Sequence, residues 1–481
     1  MAGSRARWIN VPLGRVARVC AAMLFVLLAH ITLIQAFGTY PLNADRRNER
    51  PLIARYGHPR GDIRTYDGTL VATSLPTAAG PYRYRRAYPR GEPYAALTGH
   101  VSLHHSTGME QALDAVLSGD DPKVRVRSLV RHGTVEGADI RLTVRDRVQR
   151  AAYQGLAAAG VPGAAVAIDP ATGAIQALAT YPSYDPNALT TFDRARLEEA
   201  ARRLRAAPAR PLLNRALHRV YPPGATFRLV TTAAALASGE YTPTALVDAP
   251  ARLRLPGTPT YLRNPGDCAH RRPTLALAFR RSCDTAFAGI GLQLGQDLLR
   301  DQAEAFGFNG GSLRIPLVAV PSRYPLALDR AQTALAAVGH HDDRVTPLMV
   351  AMLSAAVAND GVLMRPYLVE EVRLRDGTMI NRAAPVVYRT AVPPLLARYL
   401  AAMMTIATPA RGLGAAIPGV RVASRAATAA TVPGGGEHAL VTAFAPARAP
   451  EVAVGVVLER PGSRAGAVGA VARAMIEAAL S

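Results

Sequence analysis

Lysine is almost missing from this chain. Of its 56 lysine and arginine residues one is lysine, Lys123, and none follows it. Chemistry that draws a proton onto a neutral amine side chain is excluded C-terminal to that position, because arginine keeps its proton at any physiological pH. Aromatic residues are also scarce, 6% with a single tryptophan, which leaves few faces on which nucleic-acid bases could stack. The net charge of +21 comes from scattered arginine, so it points to anionic lipid or wall polymer and away from nucleic acid. Three cysteines are too few for a metal-binding set. Cys268 has His270 near it, but two cysteines and one histidine lack tetrahedral spacing. No cofactor and no metal is implied.

What is present is ample apolar material, 49% against 19% charged, in 481 residues. Wholesale disorder is excluded, and two or three domains with a large core are expected. Arg5, Arg7, Arg15 and Arg18 precede an apolar run from Val19 to Phe37, just long enough to span a bilayer as a helix. The basic flank puts residues 1–18 in the cytoplasm and makes 19–37 a transmembrane anchor, with the bulk of the chain extracytoplasmic. A cleaved signal peptide is the alternative. No clear small-x-small cleavage site follows the run, which favours the anchor. Cys20 belongs to it. Cys268 and Cys283 then lie where disulfides persist. A bridge between them would contribute about 3 kcal/mol in the chain-entropy model.

Residues 38–137 read as a small α+β pedestal without a catalytic constellation. Arg60-Gly61-Asp62-Ile63 and Asp67-Gly68-Thr69-Leu70 predict strand, turn and strand; His104 and His105 read as surface residues. A second unit, 138–481, opens with a strand near 139–143 and a helix over 146–159. Two strands, 164–168 and 174–179, flank Asp169-Pro170-Ala171-Thr172-Gly173, whose residues suit a tight turn. Helices are expected over 229–237, 345–358 and 465–480, and strands over 420–427, 439–444 and 451–458. Strands at both ends with helices between predict one antiparallel sheet covered by helices, an α+β fold.

Motifs in order strengthen this. Ser183-Tyr184-Asp185-Pro186-Asn187, Tyr221-Pro222-Pro223-Gly224, Cys283-Asp284-Thr285-Ala286-Phe287, Thr346-Pro347-Leu348 and Ala358-Asn359-Asp360-Gly361 follow the anchor and the Arg60 segment. With them the chain resembles a class B penicillin-binding protein of the actinobacterial PbpA-like group, along nearly its whole length. The resemblance implies a β-lactam-binding peptidoglycan D,D-transpeptidase of cell-wall synthesis or division. That activity rests on Ser-x-x-Lys, Ser-x-Asn and Lys-Thr/Ser-Gly. Here the first motif falls on Ala225, Thr226, Phe227 and Arg228, the second on Ser282, Cys283 and Asp284, the third on Arg425, Ala426 and Ala427.

Nucleophile and base are thus both gone, and no catalytic set is intact. The chain reads as a pseudo-transpeptidase, a scaffold or regulator whose partners would be wall-synthesis proteins such as a glycosyltransferase, the membrane and, weakly, peptidoglycan stem peptides held by Ser282, Arg425 and Thr428. Arg228 and Asp284, on sites that are neighbours in the active family, are expected to pair. The alternative is an active transpeptidase with Ser282 or Thr226 as nucleophile. Its base would have to be a histidine, and His218, His270, His340 and His341 are nearest in sequence to the motifs.

Overall fold

In the computed structural model every residue is described except 1–4, 34, 36–49, 79, 104, 133–135, 265–267, 269–271, 407–414 and 431–435. His104, His270 and most of the end of the expected anchor lie outside the described residues. Two units are described separately: residues 1–58 with 76–84, and residues 59–75 with 85–481. The first holds the helix Arg5–Leu33, whose stretch Gly14–Leu33 has a mean hydropathy of 2.1 and is long and apolar enough to cross a membrane. Thr32 donates its hydroxyl to the Leu28 carbonyl at 2.8 Å, so its polar group is satisfied within the helix.

The second unit is organised by two sheets. The larger core lies around five antiparallel strands in the order Ala423–Ala430, Glu437–Ala445, Val452–Leu458, Gly163–Ile168, Ile175–Tyr181. Val452–Leu458 and Gly163–Ile168 are buried at every position, because helices cover both faces. Asp146–Ala159 and Ala467–Leu480 pack on one face through Val148, Ala152, Leu156, Val471 and Met475. Pro347–Ala358 covers the other. Thr346 caps this helix by accepting from the Met349 amide at 3.2 Å, and Pro347 sits in the first turn where its missing N–H costs nothing. Thr442 and Ser354 stitch helix to sheet, through the carbonyls of Val350 at 2.6 Å and Ala443 at 3.0 Å.

The smaller sheet has six strands, Met379–Arg382, Val369–Arg373, Asp139–Leu142, Ile63–Arg64, Leu70–Pro76 and Tyr84–Ala87. Asp139–Leu142 runs parallel to Ile63–Arg64 and antiparallel to Val369–Arg373. Segments from both sides of 137/138 share this sheet. Beside the sheet, Arg60 and Arg86 converge on the buried Glu110 at 3.0 and 2.5 Å. This explains a buried Arg60: two guanidinium groups share one carboxylate, and Asp114 adds a second at 2.8 Å from Arg60.

Two consequences can be measured. A Cβ on Gly455 would lie 2.3 Å from the Ala351 backbone nitrogen, so this glycine sets how closely the covering helix approaches the sheet. Gly455→Ala is expected to cost about 1–3 kcal/mol in urea unfolding; an unchanged midpoint would contradict this. His100 is buried, with its Nδ1 2.9 Å from the Tyr184 hydroxyl and 3.1 Å from that of Thr107. Burial pushes its pKa down to about 4. The unfolded chain takes up a proton near pH 6.5 that the folded chain refuses, so stability is full above pH 6.5 and is lost as pH falls toward 4. His100→Gln should show a shallower fall in unfolding free energy, read from urea titrations over that window, by up to about 3 kcal/mol.

Candidate active-site cleft

Ala225 lies in the tight turn Gly224–Thr226, which feeds the buried helix Arg228–Ala237. Three contacts fix the turn. Tyr221 exchanges both backbone hydrogen bonds with Val345 at 2.8 Å, and its hydroxyl donates to Glu459 at 2.8 Å, where Arg215 also binds at 3.1 Å. Phe227 stacks on Tyr324, ring centroids 5.4 Å apart. The Gly224 amide donates to the Gly339 carbonyl at 3.1 Å, and a Cβ on Gly339 would meet the Gly224 oxygen at 2.2 Å. The backbone is therefore held where a serine at position 225 would present its hydroxyl, but the residue there is alanine.

Arg228 is 2% exposed and contacts the Asp284 carboxylate through Nη2. Its guanidinium lies over the Phe287 ring at 5.7 Å, and Nε and Nη1 meet no acceptor among the described residues. Burial, and then the like charge of Arg425, push Arg228 below its usual range. The Asp284 carboxylate supplies the counter-charge. It opens the helix Asp284–Ala305, where a negative charge also meets the positive end of the helix dipole. Directly before it, Cys283 is bonded to Cys268, and Asn264 accepts from the Thr285 amide at 2.9 Å.

Arg425 closes the cleft from the edge strand. It donates to the Ala225 carbonyl at 3.0 Å, to the Phe279 carbonyl at 2.5 Å and to the Ser282 hydroxyl at 2.9 Å. The same group lies 4.4 Å from the Phe279 ring centroid, and burial pushes it down to about 10. All three guanidinium nitrogens are occupied within the fold. The structure thus brings Ala225, Arg228, Ser282, Asp284 and Arg425 together. It does not bring Thr428 to Arg425: the strand keeps an unbroken register from Ala423 to Ala430, so residues three apart face opposite sides. Ala427 shares the Arg425 face and packs in the core, while Ala426 lies on the other.

Thr226 is fully buried and donates to the Pro223 carbonyl at 2.6 Å. Among the three described histidines, His218, His340 and His341, His340 is the one whose ring feels the Arg228 charge. Desolvation and then the Arg228 charge push it down to about 4, so it is neutral at pH 7. His218 is engaged elsewhere, 3.0 Å from the Val318 carbonyl. Sequence reasoning missed Phe279 and Asn264 and gave Phe287 no role beyond its motif, because a backbone carbonyl acceptor, a ring beneath a guanidinium or a lone side-chain amide leaves no motif.

Residues 163–479 match the family pattern described as the penicillin-binding protein transpeptidase domain, and residues 60–139 that of the penicillin-binding protein A dimerisation domain. The peptidoglycan D,D-transpeptidase PbpA of Mycolicibacterium smegmatis is 40% identical over 98% of this chain and 99% of its own. That of Mycobacterium tuberculosis is 39% identical over the same shares. The solved structure of penicillin-binding protein A from M. tuberculosis, as a ceftriaxone acyl-enzyme complex, covers 89% of this chain and 100% of its own at a TM-score of 0.84 and 38% identity.

Asp284→Asn leaves Arg228 buried without a counter-charge and is expected to destabilise the fold by about 3–5 kcal/mol. Replacing both partners, Arg228→Met with Asp284→Leu, should recover most of that in the same urea titration. A single-variant loss under about 1 kcal/mol would show that the pair does not carry the cleft.

Proposed function

Because the chain belongs to the penicillin-binding transpeptidase family of peptidoglycan synthesis, we propose that it is a non-catalytic member, acting at the membrane as a scaffold or regulator of wall-building proteins. One observation carries the reading: the turn that should present a serine hydroxyl presents the Ala225 methyl, and its carbonyl is tied down by Arg425. Loss of the nucleophile in a serine hydrolase costs on the order of a million-fold in rate. The substitutes are poorly placed. Thr226 is sealed in the core, and the Ser282 hydroxyl has as its neighbour Arg425, a protonated guanidinium that cannot accept a proton from it.

In this reading the partner is a protein of the same wall-synthesis machinery, such as a glycosyltransferase, that meets this chain as it would meet a catalytic relative. A stem peptide would bind weakly, since its carboxylate would have to displace the internal acceptors of Arg425. Gly14–Leu33 serves in this reading as an uncleaved single-pass anchor with its N-terminus in the cytoplasm. The Cys268–Cys283 bridge supports an oxidising compartment for the rest.

Incubation with a fluorescent β-lactam tests the reading. The native chain is expected to take no covalent label, and Ala225→Ser alone to stay dark because Arg228 cannot receive the proton. Joint replacement, Ala225→Ser, Arg228→Lys, Asp284→Asn, Arg425→Lys, Ala426→Thr and Ala427→Gly, should restore labelling. Label on the native chain would overturn the proposal.

A further inference from the structure

The helix Pro122–His132 carries apolar residues on two opposite sides. At about 100° per residue, Val124 and Ser128 lie on one face. That face is buried, Val124 packing with Ala138, Val372 and Leu374. Val126, Leu129 and Val130 lie on the face directly opposite and are 61%, 45% and 81% exposed. Such i, i+3, i+4 stripes normally face a core. Here the core is behind the helix, and the stripe looks outward.

Charge decides what could cover it. Lys123 flanks the stripe on one side and Arg125 on the other, both exposed, and neither side chain has an ion-pair partner among the described residues. Arg127, beside Lys123, donates to the Met379 carbonyl at 3.2 Å. The helix contains no acidic residue, and the only lysine of the chain is in it. The helix lies within residues 60–139, which match a dimerisation domain, so a second copy is the rival occupant; it would bring two such cationic rims together, which is repulsive. An apolar stripe between two cationic rims fits the boundary between acyl chains and anionic head groups.

We propose that Pro122–His132 is a second membrane-contacting element, which lays Val126, Leu129 and Val130 into an anionic lipid surface with Lys123 and Arg125 on the lipid phosphates. The inference rests on the reading of Gly14–Leu33 as a membrane span, which keeps the chain beside a bilayer.

The test uses the full chain carrying Cys20→Ala and Val130→Cys, labelled at residue 130 with an environment-sensitive dye. It is reconstituted into nanodiscs of phosphatidylcholine, with or without phosphatidylglycerol. A blue shift only with phosphatidylglycerol, reversed by salt and abolished by Lys123→Glu with Arg125→Glu at unchanged circular dichroism, is the expected result. Equal emission in both discs would overturn the inference. So would a shift in phosphatidylcholine alone that grows with the number of chains per disc, the mark of a second copy. Co-elution of chain and disc reads the span separately. A chain inside the disc with an unshifted dye sinks the helix inference and leaves the span. A chain that stays outside discs yet shifts on phosphatidylglycerol vesicles sinks the span and leaves the helix inference. A chain that does neither sinks both.

Discussion

The cleft depends on two buried guanidinium groups and the oxygens that receive them. Arg228 joins the helix Arg228–Ala237 to the helix Asp284–Ala305 through Asp284. Arg425 joins the edge strand to the Ala225 turn and to the Phe279–Ser282 segment. Between them they connect the three elements on which the family's chemistry rests. Two cations this close repel, and each loses hydration on burial, so the arrangement leans on the Asp284 counter-charge and on the three acceptors of Arg425, while Nε and Nη1 of Arg228 have no acceptor among the described residues. Arg228 braces one helix against another, and Arg425 ties the edge strand to two backbone carbonyls and the Ser282 hydroxyl.

Much of the surrounding architecture is held by groups outside the cleft. The five-stranded sheet draws its stability from helices on both faces, from the close approach at Gly455 and from the hydroxyls of Thr442 and Ser354. The Ala225 turn is held by Tyr221, Glu459, Phe227 and Gly339. The disulfide at Cys283 pins the segment beside Asp284. That frame holds the turn with an alanine at position 225.

Much of the large sheet was legible in the sequence. Asp169 to Gly173 announced the hairpin, and the period of 146–159 gave a helix that runs from Asp146 to Ala159. The helix expected over 345–358 runs over Pro347–Ala358, with Thr346 as its cap. The edge strand was expected at 420–427 and runs over Ala423–Ala430, because an alanine-rich stretch has no alternation by which to set its ends. The pairing of Val369–Arg373 with Asp139–Leu142 was not readable, since contacts between segments more than two hundred residues apart leave no local pattern. In the site, Arg228 opposite Asp284 followed from residue type and motif position. The three acceptors of Arg425 did not, because two of them are backbone carbonyls whose direction only the fold determines.

The central claim is that this cleft performs no acyl transfer. The most direct measurement is release of D-alanine, by mass spectrometry, from a stem pentapeptide ending in D-Ala-D-Ala, with an acceptor amine present and the full chain held in lipid discs. The account predicts release at the uncatalysed rate and no mass added to the protein. Release above that rate, together with a peptide ester located on Ser282, Thr226 or any other side chain of this protein, would contradict it.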